Sequence, residues 1–201
     1  MPVVEINTPH GPARANLHRS ADARGALVLG HGAGGGVEAP DLGAAQKAAL
    51  SVRFTVALVE QPYRVAGRRS PAPATQLDSS WIAIVEHLKA QELSGLPLVV
   101  GGRSMGGRVA CRTVEATGAA AVLCLAFPLE PPGRKNPQSR LPELEAVTVP
   151  VLVVQGERDP FGIPPPGPSR EIVKVAGDHG LKADPDGVTM AVATWLASAI
   201  S

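Results

Sequence analysis

Gly102-Arg103-Ser104-Met105-Gly106 sets a serine between two glycines, after the apolar run LPLVVGG (96–102) and before the helical pattern GRVACRTV. That spacing has a physical meaning. A nucleophile at the tip of a strand-to-helix turn needs a cramped backbone, so the residues two before and two after it must be small. Gly102 and Gly106 satisfy this, and Gly107 leaves room for the helix to approach the sheet. Ser104 then projects above the sheet, and the Met105 N–H at the helix N-terminus is placed to donate to an oxyanion.

A nucleophilic serine needs a base, and the base needs an orienting acid. Two polar groups follow later strands: Glu157-Arg158-Asp159-Pro160 after VPVLVVQG, and Asp178-His179-Gly180 after EIVKVAG. Both fall on the sheet edge that carries Ser104, in the chain order serine, acid, histidine. His179 is therefore the candidate base and Asp159 the candidate orienter, with Glu157 a weaker choice of acid. Asp178 is adjacent to His179, so its side chain is expected to point away from the ring. His10 and His18 belong to an opening hairpin and His87 to the polar side of a helix; all three read as structural.

The run Leu29-Gly30-His31-Gly32-Ala33-Gly34-Gly35-Gly36 forms a second glycine-rich loop. Opposite a nucleophile it supplies the other oxyanion donor, here the Ala33 N–H, with His31 bracing the loop. A rival reading exists, since Gly30-x-Gly32-x-x-Gly35 spells the dinucleotide fingerprint and Glu60 ends the next strand. Gly36 and Pro40 delay the helix that such a fingerprint must open. The loop after that strand, EQPYRVAGRR (60–69), carries Arg64, Arg68 and Arg69. With Arg103 they are candidates to receive an anionic substrate group. The plainer alternative is a solvated loop, with Arg103 paired to an acid such as Glu60.

These groups need a scaffold. Unbroken apolar runs at 26–30, 54–59, 96–102, 120–127 and 149–156 suit strands buried on both faces of a parallel sheet. PVVEI (2–6) and ARANLH (13–18) flank a His-Gly-Pro turn as an antiparallel hairpin, and EIVKVAG (171–177) suits an edge strand. Helical patterns occupy 40–51, 76–92, 105–117 and a terminal segment opened by Asp184-Pro185-Asp186. The second follows Thr75-x-x-Asp78, which resembles a capping box, and places Leu77, Trp81, Ile84, Val85 and Leu88 on one face. Strand–helix alternation of this kind predicts an α/β layered domain. Two Pro- and Gly-rich stretches, 128–142 and 160–168, interrupt it at the carboxyl edge of the sheet, where ligands bind in open α/β folds.

Composition narrows the classes. Two hundred and one residues make one domain, 1–201, and a hydrophobic share of 44% with 18% charge is globular. Nineteen Lys and Arg against eighteen Asp and Glu leave +1, without the basic excess of a nucleic-acid binder. Aromatic residues at 3% leave little for base stacking. Cys111 and Cys124 sit in apolar contexts without metal-ligand spacing, which reads as two buried thiols in a reducing compartment. No secretory signal or membrane-length apolar run is visible, so a soluble, cytoplasmic chain is expected.

LVLGHGAGGG, VEQPYRVAGRR, GGRSMGGRVA, LAFPL with its Pro-Pro-Gly-Arg segment, VPVLVVQGERDPFG and GDHGLK together resemble a small bacterial branch of the α/β-hydrolase superfamily. The branch is similar to the hydrolase-like domains of human testis-expressed protein 30 and NSL chromatin complex subunit 3. The resemblance runs from about residue 25 to the C-terminus. It implies an α/β-hydrolase fold, a mostly parallel sheet flanked by helices, with Ser104, Asp159 and His179 matching the family's triad. Many hydrolases insert a cap after the strand at 120–127; only residues 128–148 lie there, so a minimal or absent cap and an open site are expected. The function expected is a serine esterase or thioesterase without metal or organic cofactor. Its partner is a small-molecule acyl substrate, not nucleic acid or a membrane. The alternative is a non-catalytic interaction module on the same fold.

Overall fold

In the computed structural model, which describes residues 2–133 and 135–200, the apolar runs become strands of one eight-stranded sheet. The chain runs β1 (Val3–Thr8), β2 (Gly11–His18), β3 (Gly25–Gly30), α1 (Pro40–Ser51), β4 (Phe54–Glu60), α2 (Pro62–Val65) and α3 (Ala74–Ala90). It continues β5 (Leu98–Arg103), α4 (Met105–Thr117), β6 (Ala121–Leu125), α5 (Leu141–Glu145), β7 (Val151–Gly156), β8 (Arg170–Val175) and α6 (Pro185–Ala199). The spatial order is β1-β2-β4-β3-β5-β6-β7-β8. β2 pairs antiparallel with both its neighbours, and every pairing from β4 to β8 is parallel. This is the α/β-hydrolase arrangement, without a lid domain, and β8 lies at an edge as its weaker alternation predicts.

The continuous apolar strands divide by the pleat, because successive side chains point to opposite faces. Val28, Val100, Val122 and Val153 meet α3 and α4 on one face, joined by Trp81, Ile84, Val109 and Val114. Leu27, Leu29, Leu123, Leu125 and Leu152 meet α1 and α6 on the other, with Leu42, Val188, Val192 and Leu196. Burial on both faces is why these runs carry no polar alternation.

Helix boundaries follow their terminal residues. Pro40 and Pro185 open α1 and α6, and the Asp184 side chain accepts the Gly187 N–H at 2.9 Å. Gly118 ends α4 in the left-handed conformation, with φ 61°. The capping box read at Thr75 does not form: α3 begins at Ala74 after Pro73, with no side-chain cap. Asp78 instead makes a two-pronged ion pair with Arg112, at 2.9 and 2.6 Å. A charge-assisted fork outcompetes a local cap for that carboxylate. The short helices α2 and α5 were not evident in the sequence; each turns within a Pro-rich loop and carries proline in its first turn. No helix among the described residues is long and apolar enough to cross a membrane.

Candidate active site

The site forms where the loops after β3, β5, β7 and β8 converge above the sheet. Ser104 stands at the tip of the β5–α4 turn with φ 51° and ψ −106°, a strained backbone for a residue bearing Cβ. Its N–H is held by the Leu125 carbonyl at 2.8 Å. The flanking glycines serve close approach. A Cβ on Gly102 would meet the Gly30 nitrogen and the Gly106 carbonyl carbon, each at 2.9 Å. One on Gly106 would meet the Gly30 carbonyl carbon at 2.6 Å and the His31 oxygen at 3.0 Å. Two bare glycines thus let the β3–α1 loop lie against the Ser104 turn.

His179, on the loop after β8, places Nε2 2.9 Å from Ser104 Oγ and Nδ1 2.8 Å from Asp159 Oδ2. With Nδ1–H donating to the carboxylate, Nε2 is left to accept the serine proton. The Asp159 side chain is wholly buried. Its Oδ1 accepts the Phe161 N–H at 2.9 Å, and its Oδ2 also accepts from Gln155 Nε2 at 2.8 Å. Asp178 turns away, as expected, to accept the Gly180 N–H at 2.9 Å. Glu157 is exposed.

Two neighbours of this relay escaped the sequence reading. Gln155 is fully buried in β7, and its Nε2 also reaches the Phe127 carbonyl at 3.1 Å and the Gly162 carbonyl at 2.8 Å. It ties the acid to the loops after β6 and β7. The signal was available: a lone amide in an otherwise apolar buried strand requires hydrogen-bond partners. The Phe161 ring lies over the His179 imidazole, centroids 4.3 Å apart and planes at 35°. Nothing in the Pro-rich 160–168 composition marks that stacking.

Ala33 lines the same cleft as Ser104 and Met105. Met105 is the first residue of α4, so its N–H has no acceptor within the helix. The loop carrying Ala33 is braced twice. The Tyr63 hydroxyl donates to the Ala33 carbonyl at 2.9 Å, and burial pushes its pKa up to about 12, which keeps the donor protonated. His31, fully buried, has Nδ1 2.8 Å from the Gly32 carbonyl and accepts the Gln61 N–H on Nε2 at 3.2 Å. That arrangement requires a neutral ring, and burial lowers its pKa from 6.5. The unfolded chain protonates first, so the stability His31 contributes is full above about pH 6.5 and falls on acidification. The β3–α1 loop spans residues 31–39 before a helix begins, unlike a dinucleotide fingerprint.

The pairing of Arg103 with Glu60 is corrected. Arg103 does not pair with Glu60, because β3 lies between β4 and β5. Its Nε lies 2.9 Å from Asp41 Oδ2, an ion-pair approach outside hydrogen-bond geometry, and its Nη2 donates to the His179 carbonyl at 3.2 Å. Asp41 opens α1 and its side chain is wholly buried, with Oδ1 accepting the Leu42 N–H at 2.9 Å. Burial raises its pKa, against the opposing pull of Arg103. Arg103 is thus a brace between α1 and the histidine loop. Arg64, half-buried, reaches the Arg68 carbonyl at 3.4 Å. Arg68 and Arg69 are exposed, and Arg68 borders a separate depression with His10, Gln61 and Tyr63. The charged residues lining the Ser104 cleft are Arg108, Arg112 and Arg140.

That cleft encloses about 300 Å³, and its lining is mainly apolar, including Ala33, Ala72, Leu77, Met105, Pro128 and Phe161. Among the described residues, no group of three or more His, Cys, Asp or Glu is gathered to hold a metal ion.

Comparison with known proteins agrees with this architecture. Residues 23–183 match the family described as alpha/beta hydrolase domain, and the chain belongs to that family. Among solved structures, it is similar to an α/β serine hydrolase without lid from Xanthomonas campestris, at 17% identity and a TM-score of 0.73, over 96% of this chain and 94% of that one. It is similar to Est1E from Butyrivibrio proteoclasticus, at 16% and 0.76, over 96% and 97%. It also resembles the esterase Pf2001 of Pyrococcus furiosus, at 14% and 0.77, over 100% and 90%. At these identities the likeness concerns the fold. No curated protein matches the chain.

Proposed function

We propose that this protein is a serine hydrolase that cleaves a small ester or thioester through an acyl-enzyme. The observation that carries the reading is the continuous hydrogen-bonded relay from Asp159 through His179 to Ser104, at 2.8 and 2.9 Å. Ser104 Oγ attacks the carbonyl carbon as His179 Nε2 takes its proton, while Asp159 stabilises the imidazolium. The Ala33 and Met105 N–H groups receive the oxyanion. As the tetrahedral species collapses, the bond to the leaving oxygen or sulfur breaks and His179 returns the proton to it. Water, deprotonated by His179, then releases the acid and restores Ser104. The esterases of like fold support the reaction class.

The narrower kinship with the testis-expressed protein 30 branch belongs to the same proposal, on the motif GGRSMGG and the glycine loop. So does a cytoplasmic setting, where the buried thiols of Cys111 and Cys124 would stay reduced.

A fluorophosphonate tests the reading. Wild type is expected to be labelled covalently at Ser104 and to turn over short p-nitrophenyl esters; Ser104→Ala loses both. Folded wild type that neither labels nor turns over any ester would favour the interaction-module alternative. Acyl length is a second expected result. The cleft is small and lidless, and each methylene improves binding by up to about 0.8 kcal/mol only where apolar wall receives it. The kcat/KM values are expected to peak at short chains. A steady rise out to dodecanoyl esters would contradict that geometry.

A further inference from the structure

A second cavity, about 440 Å³, adjoins the Ser104 cleft and shares Arg108 and Arg140 with it. Its remaining wall is mainly polar, with Gln138, Ser139 and Glu143 beside Pro131 and Pro142. One compartment is therefore apolar around the nucleophile, the other polar, and two guanidiniums stand at their junction. We propose that the substrate is an ester bearing a carboxylate, with the carbonyl at Ser104 and the carboxylate received by Arg108 and Arg140. The inference rests on the serine-hydrolase reading and specifies its substrate class.

The charge arrangement supports the assignment. Among the described residues, the three charged ones lining the Ser104 cleft are all cationic. Carboxylates hold two of them, Arg108 and Arg112, and fix their guanidiniums. Glu143, on α5, takes Arg108 Nε and Nη2 at 2.8 and 2.6 Å, and Asp78, on α3, takes Arg112 Nε and Nη2. Arg112 Nη1 also reaches Glu143 at 3.3 Å. Arg140 Nη1 donates to the Pro128 carbonyl at 2.8 Å. A guanidinium carries five N–H donors, so a fork to one carboxylate leaves its other edge able to meet a second. Glu143 commits one edge of Arg108 and orients the opposite edge in advance. Pre-orientation limits the side-chain entropy lost on binding. Arg108 and Arg112 already form two-pronged pairs with carboxylates inside the fold, which is the geometry an incoming carboxylate requires.

Matched acid and amide esters test this. Monomethyl glutarate against methyl 4-carbamoylbutanoate places the charge on the acyl side. Sodium 4-acetoxybenzoate against 4-carbamoylphenyl acetate places it on the leaving side. In at least one pair the acid is expected to exceed its amide about tenfold in kcat/KM, the scale of a charge-assisted contact. Which pair responds identifies the side that carries the anion. The ratio is expected to fall toward one in Arg108→Gln and in Arg140→Gln. In wild type it should shrink at high salt, since screening acts over about 8 Å at physiological ionic strength. Acid and amide turned over equally in both pairs would overturn this inference while leaving the hydrolase intact. A preference that survives both substitutions and high salt would also overturn it. Absence of all turnover together with absence of Ser104 labelling would instead remove the hydrolase reading, and this inference with it.

Discussion

Asp159→Asn is expected to slow fluorophosphonate labelling of Ser104 by up to about 10⁴-fold while the protein remains folded. The cause is the imidazole tautomer. Asp159 Oδ2 accepts from His179 Nδ1 at 2.8 Å, which leaves Nε2 free of a proton toward Ser104. An asparagine can turn its NH2 toward Nδ1 and stabilise the opposite tautomer, in which Nε2 already carries the proton. Asp178→Asn is the control, because that carboxylate accepts the Gly180 N–H and does not face the ring. Its labelling rate should stay within a few-fold of wild type. Labelling rates of the two variants across pH 6–9 decide the matter. Strong dependence on Asp178 with none on Asp159 would assign the acid to the wrong residue.

The second large effect concerns Arg103. Arg103→Met leaves the Asp41 carboxylate buried beside no cation, and breaking a buried pair in this way costs about 3–5 kcal/mol. The penalty has a pH sign. Burial already raises the Asp41 pKa above 3.8, and Arg103 is the leading influence that restrains it. Without Arg103 the folded state holds the proton to higher pH than the unfolded state does. Relative to wild type, the variant is therefore least destabilised at low pH and loses stability as pH rises above about 4 through the raised folded value. Denaturant titration of variant and wild type at pH 4.5 and pH 8 checks the direction, and a stability gap equal at both would refute it. Adding Asp41→Asn removes the buried charge and is expected to recover much of the stability. Activity should recover less, because the His179 carbonyl still lacks its donor.

These two results bear on how much of the site was legible beforehand. The residues Ser104, Asp159 and His179 stood out because each follows a strand and each has a chemistry that its neighbours' spacing permits. The glycines of the elbow were equally plain, since a strand-to-helix turn tolerates little else. Arg64, Arg68 and Arg69 are not among the residues lining the Ser104 cleft, for a general reason. Arg64, Arg68 and Arg69 lie close together in sequence, whereas Arg108, Arg112 and Arg140 come from a helix and a distant loop. Clustering along the chain is a poor guide to clustering in space for long flexible side chains. Nothing local to the sequence marks Asp41, and only the crossing of the β3–α1 loop over the elbow brings α1 near Arg103.

What the sequence by itself determined is therefore the layered architecture and the order of the chemistry. Buried strands announce themselves by unbroken apolar runs, helices by their stripe and terminal residues, and the sheet edge by the parallel direction of the strands. These are local properties, expressed within windows of a few residues. The partnerships of the polar groups were decided only in the tertiary structure. Gln155 supports Asp159 because β7 carries it beneath the acid loop; Asp78 abandons a cap because α4 presents Arg112; Phe161 covers His179 because two loops meet above β7 and β8. Each is a competition among several possible partners, and the winner depends on which groups the packed sheet and helices bring within about 3 Å of one another.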